Sequence, residues 1–404
     1  MVEASRVQCQ CCVVGGGPAG LMAGFLLARA GVDVVVIEKH ADFLRDFRGD
    51  TIHPSTLRIM QELGLLEEFL RLPHQKAYEI GAWIGDRNYA FADFGSLPKP
   101  CNFIALMPQW DFLDFIASKA RTLSNFRLMM RTAAEQLIWE GDRVVGVTAA
   151  APEGAIGIKA NLVVAADGRG STLRPEAQLP LEDFGAPMDV FWFRLPRKAD
   201  DPGQSFGRIA SGRMIVMIDR GDYWQIGWLI PKGGAAAARQ AGLESFRAAL
   251  SGALPFLADR VGAIDMWDQV HLLTVQVNRL TKWSRPGLLC IGDAAHAMSP
   301  VGGVGVNLAI QDAVATANLL GAKLRAGTLT ESDLAAVQKR REFPAKATQR
   351  IQLAIQSRVI ANALASDKPF APPLALRLFD AIPFLRRIPA RVMGIGLRPE
   401  HVAK

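Results

Sequence analysis

The residues in this chain best suited to chemistry are glycines and acids placed at the ends of apolar runs. Val7 to Val14 is a short β-branched run that ends at Gly15-Gly16-Gly17-Pro18-Ala19-Gly20. A helical stretch from Leu21 to Ala30 follows, Gly31 stops it, and Val32 to Ile37 forms a second buried strand closed by Glu38 and Lys39. This is a βαβ unit with G-x-G-x-x-G at Gly15, Gly17 and Gly20. Gly15 permits the tight turn, Gly17 lets backbone N–H groups approach a pyrophosphate, and Gly20 lets helix and strand pack closely. The phosphates meet the positive helix N-terminus at Pro18 and Ala19. Glu38 lies 18 residues after Gly20, where a carboxylate accepts hydrogen bonds from a ribose diol and repels a 2′-phosphate. The pattern therefore points to FAD or NAD and does not by itself separate them.

Two further motifs sit at strand ends. Asn161 to Ala166 runs into Asp167-Gly168-Arg169-Gly170-Ser171. Leu288 to Ile291 runs into Gly292-Asp293-Ala294-Ala295-His296, then Pro300-Val301-Gly302-Gly303-Val304-Gly305-Val306-Asn307 and a helix through Leu320. Both place carboxylates at the carboxyl ends of strands, where open α/β sheets bind ligands. The Gly-rich turn before Asn307 presents backbone N–H groups at a helix N-terminus, suited to a flavin carbonyl or an anionic reduced flavin. His296 reads as a satisfied structural histidine.

Taken together, Gly15-x-Gly17-x-x-Gly20 with Glu38, Asp167-Gly168, and Gly292-Asp293…His296…Pro300-x-Gly302-Gly303-x-Gly305-x-Asn307…Asp312-Ala313 resemble the group A flavoprotein aromatic monooxygenases, the single-component hydroxylases of the para-hydroxybenzoate hydroxylase fold. The resemblance runs from about Val7 to Leu324. It implies FAD at one Rossmann site and NADH or NADPH as a transient reductant without a Rossmann domain of its own. It implies that Asp293 bonds the ribityl chain with Gly292 giving it room, and that Pro300 sits beside the isoalloxazine. Gly303, Gly305 and Val306 would face the pyrimidine edge. Asp167 and Gly168 would serve the FAD phosphates and the nicotinamide cofactor, Arg48 the diphosphate or ribityl region, and Gln109 the ribityl chain. Arg48 also reads as a solvated loop charge, and Gln109 as a helix-start polar residue. The implied reaction is hydroxylation of an aromatic or polyketide/quinone-like ring by NAD(P)H and O2 through a C4a-hydroperoxyflavin.

The elements that must position these residues divide the chain into an α/β fold of three parts. A Rossmann-type FAD-binding domain takes residues 1–72, 97–180 and 281–350. A mostly antiparallel β-sheet substrate domain, residues 73–96 and 181–280, is inserted into it, and a helical tail follows at 351–404. Strand-like runs occur at Ala77 to Ile84, Tyr89 to Phe94, Val190 to Leu195, Met214 to Ile218, Tyr223 to Ile230 and His271 to Val277. A substrate pocket belongs between that sheet and the flavin, with Trp192, Arg213, Trp224 and Gln225 as its candidates, although most aromatics of the sheet read as core. Tyr78, Tyr89 and Tyr223 are the only tyrosines, so Asp50 and His53 replace a tyrosine relay as base candidates; helix capping is the competing reading for both.

Composition narrows the class. The chain has 404 residues, half hydrophobic and 21% charged, with 46 Lys and Arg against 39 Asp and Glu, a profile that excludes disorder and a disulfide-stapled mini-fold. From Ala371 onward Arg377, Arg386, Arg387, Arg391, Arg398 and Lys404 outweigh Asp380 and Glu400, supplying +4 of the net +7, and no basic–aromatic groove of a nucleic-acid binder appears elsewhere. Cys9, Cys11, Cys12, Cys101 and Cys290 have neither redox nor zinc spacing, so no metal is expected and a reducing cytoplasm is. The uncharged stretch Cys9 to Ala28 is too broken by Gly15 to Pro18 to be a spanning helix. The tail mixes apolar residues, arginines and prolines; docking on its own domain is favoured over an amphipathic membrane contact. O2 and an aromatic or hydrophobic small molecule are the expected partners. A flavin halogenase, an isoprenoid-lipid reductase and a non-catalytic FAD-binding ligand sensor remain the alternatives; the Trp-x-Trp-x-Ile-Pro halogenase signature is absent.

Overall fold

A computed structural model describes residues 5–44, 51–202, 206–210, 212–365 and 370–403. Arg48 and Asp50 lie outside the described residues. Two sheets dominate. In the first, Leu288–Cys290, Gly154–Ala165, Ser5–Val14, Val34–Ile37 and Phe126–Met129 lie side by side in parallel, in that order. Arg143–Ala151 and Ala133–Glu140 extend the meander antiparallel from Gly154–Ala165. The strands Cys11–Val14 and Val34–Ile37 are buried on both faces, as parallel strands covered by helices must be. The covering helices are Pro18–Arg29, whose buried residues run from Ala19 to Ala28 without a break, and Gly305–Ala326.

The register aligns the three motifs. Val14 pairs with both Ala165 and Ile37, and Ala165 pairs with Cys290. The next residues of all four strands, Gly15, Glu38, Ala166–Asp167 and Ile291–Gly292, therefore emerge along one edge of the sheet. The thiols of Cys11, Cys12 and Cys290 are packed inside this core, and burial pushes the Cys9 thiol, in the same strand, up to about 12.

The second sheet has seven strands in the order His271–Leu273, Met188–Pro196, Tyr223–Pro231, Arg213–Asp219, Phe206–Ala210, Glu79–Ile84 and Arg87–Asp93. All neighbours are antiparallel except Phe206–Ala210, which runs parallel to Glu79–Ile84 and so joins the early hairpin to the later strands. The run expected at His271 to Val277 is shorter, because the chain leaves the sheet after Leu273 and re-pairs as Asn278–Leu280 against Leu181–Asp183. Ala235–Gln240 and Leu243–Ala253 are helices; the second covers the outer face of the sheet through Phe246, Leu250 and Ala253. The tail contributes Leu374–Ala381 and Arg387–Gly394, docked beside Arg87–Asp93. Arg87 and the Ala90 N–H both bond Asp380, and Arg386 bonds Glu79, fastening the tail to the sheet.

Candidate active site

The first motif is a cradle whose glycines do different work. Gly15 has φ of +107° and abuts Ala166, whose carbonyl oxygen lies 2.4 Å from where a Cβ would be. A Cβ on Gly20 would stand 1.9 Å from the Gly15 carbonyl. These two glycines shape the turn. Beyond its chain neighbours, no described atom lies within 4 Å of a Cβ built on Gly17, the N-cap of Pro18–Arg29, so the space in front of this helix end is open. The Glu38 carboxylate accepts the Gly16 N–H at 2.8 Å and the His40 N–H at 3.0 Å, which ties the turn to the second strand. A carboxylate has about four acceptor positions, so a ribose diol can still be bonded there.

The second and third motifs face it. One oxygen of Asp167 accepts from the Ser171 hydroxyl at 2.9 Å and the Thr172 N–H at 2.8 Å; the other, Oδ1, is buried without a protein partner. Such a buried acceptor normally has a donor. Arg169 donates to Asp293 at 3.1 Å, and Arg174 donates to the carbonyls of Ala294 and Arg169, so the two motifs are bonded to each other. Gly292 is buried against Ala19 of the first helix. Neither arginine carried a role in the sequence reading, and only the charge opposite Asp293 could have hinted at Arg169.

The Gly-rich turn is built against the segment after Asp50. Gly303 has φ of +62° and leaves 2.3 Å between its absent Cβ and the Thr51 hydroxyl, which donates to the Gly303 carbonyl. The Asn307 side chain accepts from the His53 N–H and the Thr56 hydroxyl, both at 2.8 Å, and donates to the carbonyls of Thr51 and Gly303. Its amide is thus spent on holding the turn, and a ligand meets the backbone here.

His53 is the N-cap residue of Pro54–Glu62, yet its side chain makes no capping bond. Its Nδ1 lies 2.9 Å from the Met393 carbonyl, which only accepts, so Nδ1 carries the proton and Nε2 is a bare acceptor. Nε2 is buried without a protein partner and the ring borders the cavity. Burial lowers the imidazole pKa to about 4, the Met393 bond opposing this. Because the folded value lies below the unfolded one near 6.5, the neutral ring contributes stability above pH 6.5, and this is lost as pH falls toward 4.

Behind the third motif, His296 Nε2 lies 2.6 Å from Asp312, which also accepts the Gly292 N–H and the Arg341 guanidinium. Arg341 reaches Glu400 at 3.4 Å, and all four side chains are buried. Burial alone would raise the Asp312 carboxyl; His296 and Arg341 outweigh it and hold it below the usual carboxylate range. His296 is thus held through Nε2, but its Nδ1 is buried without a protein partner, so it is not the fully satisfied histidine that the sequence suggests.

These motifs border one continuous cavity of about 1740 Å³. Gly15, Gly17, Pro18, Ala19, Glu38, Lys39, Gln109, Asp167, Gly168, Asp293, Pro300, Gly303, Gly305, Val306 and Asn307 all line it, while Gly20 and Gly292 support it from behind. It exceeds the ~300–1,000 Å³ of a single drug-sized ligand, so it has room for a dinucleotide and a second molecule. The far end is the inner face of the second sheet, with Val190, Trp192, Met214, Val216, Ile218 and Leu229.

Of the four substrate candidates, only Trp192 borders the cavity, its indole lying across Gly227. Trp224, Arg213 and Gln225 do not. Trp224 points to the opposite face, where its indole N–H donates to Asp201, itself gripped by Arg260. Arg213 lies over Trp228 on that same face and donates to the Ala249 carbonyl. Gln225 is buried and accepts from Arg220. The tail also lines the cavity, through Leu376, Phe379, Val392 and Met393, which the sequence reading did not anticipate.

An open helix N-terminus, a buried unpartnered Asp167 oxygen and a lining that joins three strand ends fit a bound FAD. Residues 8–351 match the family described as FAD binding domain, and the chain belongs to it, within the group A flavoprotein aromatic monooxygenases, which are FAD-dependent oxidoreductases. Its similarity to 6-methylpretetramide 4-monooxygenase of Streptomyces rimosus is 33% identity over 382 residues, covering 93% of this chain and 91% of that one. Para-nitrophenol 4-monooxygenase of Pseudomonas sp. (strain WBC-3) is 24% identical over 351 residues, 82% of each chain. The crystal structure of p-nitrophenol 4-monooxygenase from Pseudomonas putida DLL-E4 superimposes with a TM-score of 0.76 at 20% identity, covering 98% of this chain and 100% of that one. Among the described residues no helix is long and apolar enough to cross a membrane.

Proposed function

We propose that this protein hydroxylates an electron-rich, polycyclic ring of polyketide or quinone type, taking electrons from NADH or NADPH and oxygen from O2. The observation that carries the reading is the continuity of the cavity: the FAD cradle and the apolar face of the second sheet border one continuous, partly open space. The 6-methylpretetramide relative supports a fused-ring substrate, as does a lining in which Trp192, Val216, Leu229 and Met214 stand beside few charged residues, among them Glu79, Arg239 and Asp268.

FAD, once reduced, supplies the activation of O2 and the transfer of one oxygen atom to the ring. The chain's own residues do the rest. The Gly15–Gly20 turn and the end of Pro18–Arg29 would hold the pyrophosphate; Asp293, oriented by Arg169, and Gln109 would hold the ribityl chain. The turn at Gly303 to Val306 offers N–H groups at a helix N-terminus, where negative charge on the reduced ring is stabilised. Trp192 and the sheet face orient the substrate and exclude water. His53 Nε2 holds a lone pair at neutral pH, and with its pKa lowered to about 4 it accepts a hydrogen bond from a substrate hydroxyl or ring N–H and orients it rather than taking its proton. His53→Phe is therefore expected to keep FAD while lowering coupled turnover about tenfold, the loss of one hydrogen bond to the substrate; unchanged turnover removes His53 from the reaction.

The deciding experiment is anaerobic stopped-flow reduction with NADH and NADPH across a panel of phenols, quinones and fused-ring aromatics, followed by product mass in ¹⁸O2. A compound that accelerates flavin bleaching and emerges carrying labelled oxygen supports the reading. Flavin that no nicotinamide bleaches, or products without labelled oxygen, would overturn it in favour of a separate reductase partner, a halogenase or a ligand sensor.

A further inference from the structure

The tail has two apolar sides, and only one of them is covered. Leu376 and Phe379 of Leu374–Ala381, and Val392 and Met393 of Arg387–Gly394, turn inward to line the cavity. On the other side Leu374 and Leu378 stand one helical turn apart, 70% and 43% exposed. Ile382, Phe384 and Ile388 continue the same run at 45%, 68% and 56% exposure. Five large apolar side chains within fifteen residues of one surface segment are far from the scattered single exposures that are normal for a protein surface.

The charge around this patch selects its occupant. Arg377, Arg387 and Arg391 are all exposed, and Arg387 lies over the Phe384 ring. Between Phe370 and Pro399 the one acid is Asp380, and it is already bonded to Arg87 and the Ala90 N–H. Among the described residues of this segment, the face therefore presents apolar side chains framed by arginines, its one acid already engaged. A second copy of this chain would bring the same arginines against each other. An anionic lipid surface takes both halves of the pattern at once, the apolar side chains entering the interface and the guanidiniums meeting the headgroups.

We propose that the outer face of the tail, centred on Leu378 and Phe384, is a peripheral docking surface for anionic phospholipid bilayers. The short proline-bounded helices lie on such a surface rather than across it. Since Leu374–Ala381 shows one side to solvent and the other to the cavity, docking sets the cavity about one helix diameter, ~10–12 Å, from the lipid. That a lipophilic substrate enters by this route rests on the hydroxylase reading above; docking itself does not.

Sedimentation of the full FAD-loaded chain with vesicles separates the two. With phosphatidylcholine vesicles containing phosphatidylglycerol the protein is expected to pellet, and with pure phosphatidylcholine to stay in solution. Raising salt from ~0.1 to ~1 M, which shortens the screening length from about 10 to about 3 Å, weakens the binding. Leu378→Glu with Phe384→Glu, and separately Arg377→Glu with Arg387→Glu, should each reduce vesicle affinity at least about tenfold, some 1.4 kcal/mol, with FAD content and melting temperature unchanged. Equal binding to neutral vesicles, or no binding to either, would overturn the proposal. So would a dimer in light scattering that the Leu378→Glu and Phe384→Glu pair dissolves, since the face would then belong to a second copy. Turnover on soluble aromatics is read in parallel, so loss of docking and failure of the hydroxylase reading remain distinguishable.

Discussion

Gly17→Val is expected to purify as a folded, colourless protein whose affinity for FAD has fallen at least about a hundredfold, some 2.7 kcal/mol. The expectation rests on where this glycine stands. Its backbone is extended, at φ −74° and ψ −176°, which valine adopts freely, and beyond its chain neighbours no described atom lies within 4 Å of its missing Cβ. A valine there disturbs nothing in the chain; it fills the space through which backbone N–H groups reach a pyrophosphate. The check is the ratio of flavin to protein absorbance after gel filtration, beside circular dichroism and a melting curve taken with and without added FAD. Stoichiometric yellow flavin in the variant would remove the phosphate assignment. Gly20→Ala gives the contrast: its Cβ would sit 1.9 Å from the Gly15 carbonyl, so that variant loses stability along with the cofactor.

Arg341→Ala should produce the largest loss of stability of any single side chain in the FAD domain outside the sheet core. Arg341 is fully buried and bonds Asp312 at 2.9 Å, the Arg398 carbonyl at 3.3 Å and Glu400 at 3.4 Å. Removing one partner of such a network leaves carboxylates buried without compensation and costs ~3–5 kcal/mol. Because Asp312 also receives the Gly292 N–H and the His296 ring, part of the loss should appear as weakened FAD retention. The sign of the pH dependence is a further check. The folded pKa of Asp312 is depressed, so its contribution is present above the ordinary carboxylate range and is lost as pH falls through the lowered value. The gap between wild type and variant in thermal melts should therefore narrow below about pH 4. A gap that stays constant through that range would mean the arginine acts by packing alone.

What could be read from the sequence divides along a physical line. Gly15, Gly20 and Gly303 were legible because a tight turn or a close backbone approach has few chemical solutions, and those solutions recur at fixed spacing. The FAD-binding strands were legible for the same reason, since parallel strands covered on both faces are continuous apolar runs. Trp224 failed as a substrate candidate because Tyr223–Pro231 is buried on both of its faces from Trp224 to Ile230. A strand without polar alternation does not reveal which of its residues point inward, and the pairing of Trp192 with Gly227 settles that the odd-numbered side faces the cavity. Gln225 shares that side but is drawn away by Arg220. Arg341 and Glu400 were invisible because their meaning depends on Asp312, 29 and 88 positions away in the chain. The inward role of Leu376 and Met393 depends likewise on strands far upstream.

The parallel pairing of Phe206–Ala210 with Glu79–Ile84 has a consequence for how specificity can be moved between related proteins. The sheet wall at the far end of the cavity is woven from two stretches more than a hundred residues apart, and the tail, fastened by Arg87 and Glu79, is a third. A chimera with a single crossover inherits the hairpin from one parent and its neighbouring strand from the other, with a hydrogen-bonded seam between mismatched halves. Recombination that respects this fold must exchange all three stretches together, so the cavity wall behaves as one unit of inheritance despite being scattered along the gene.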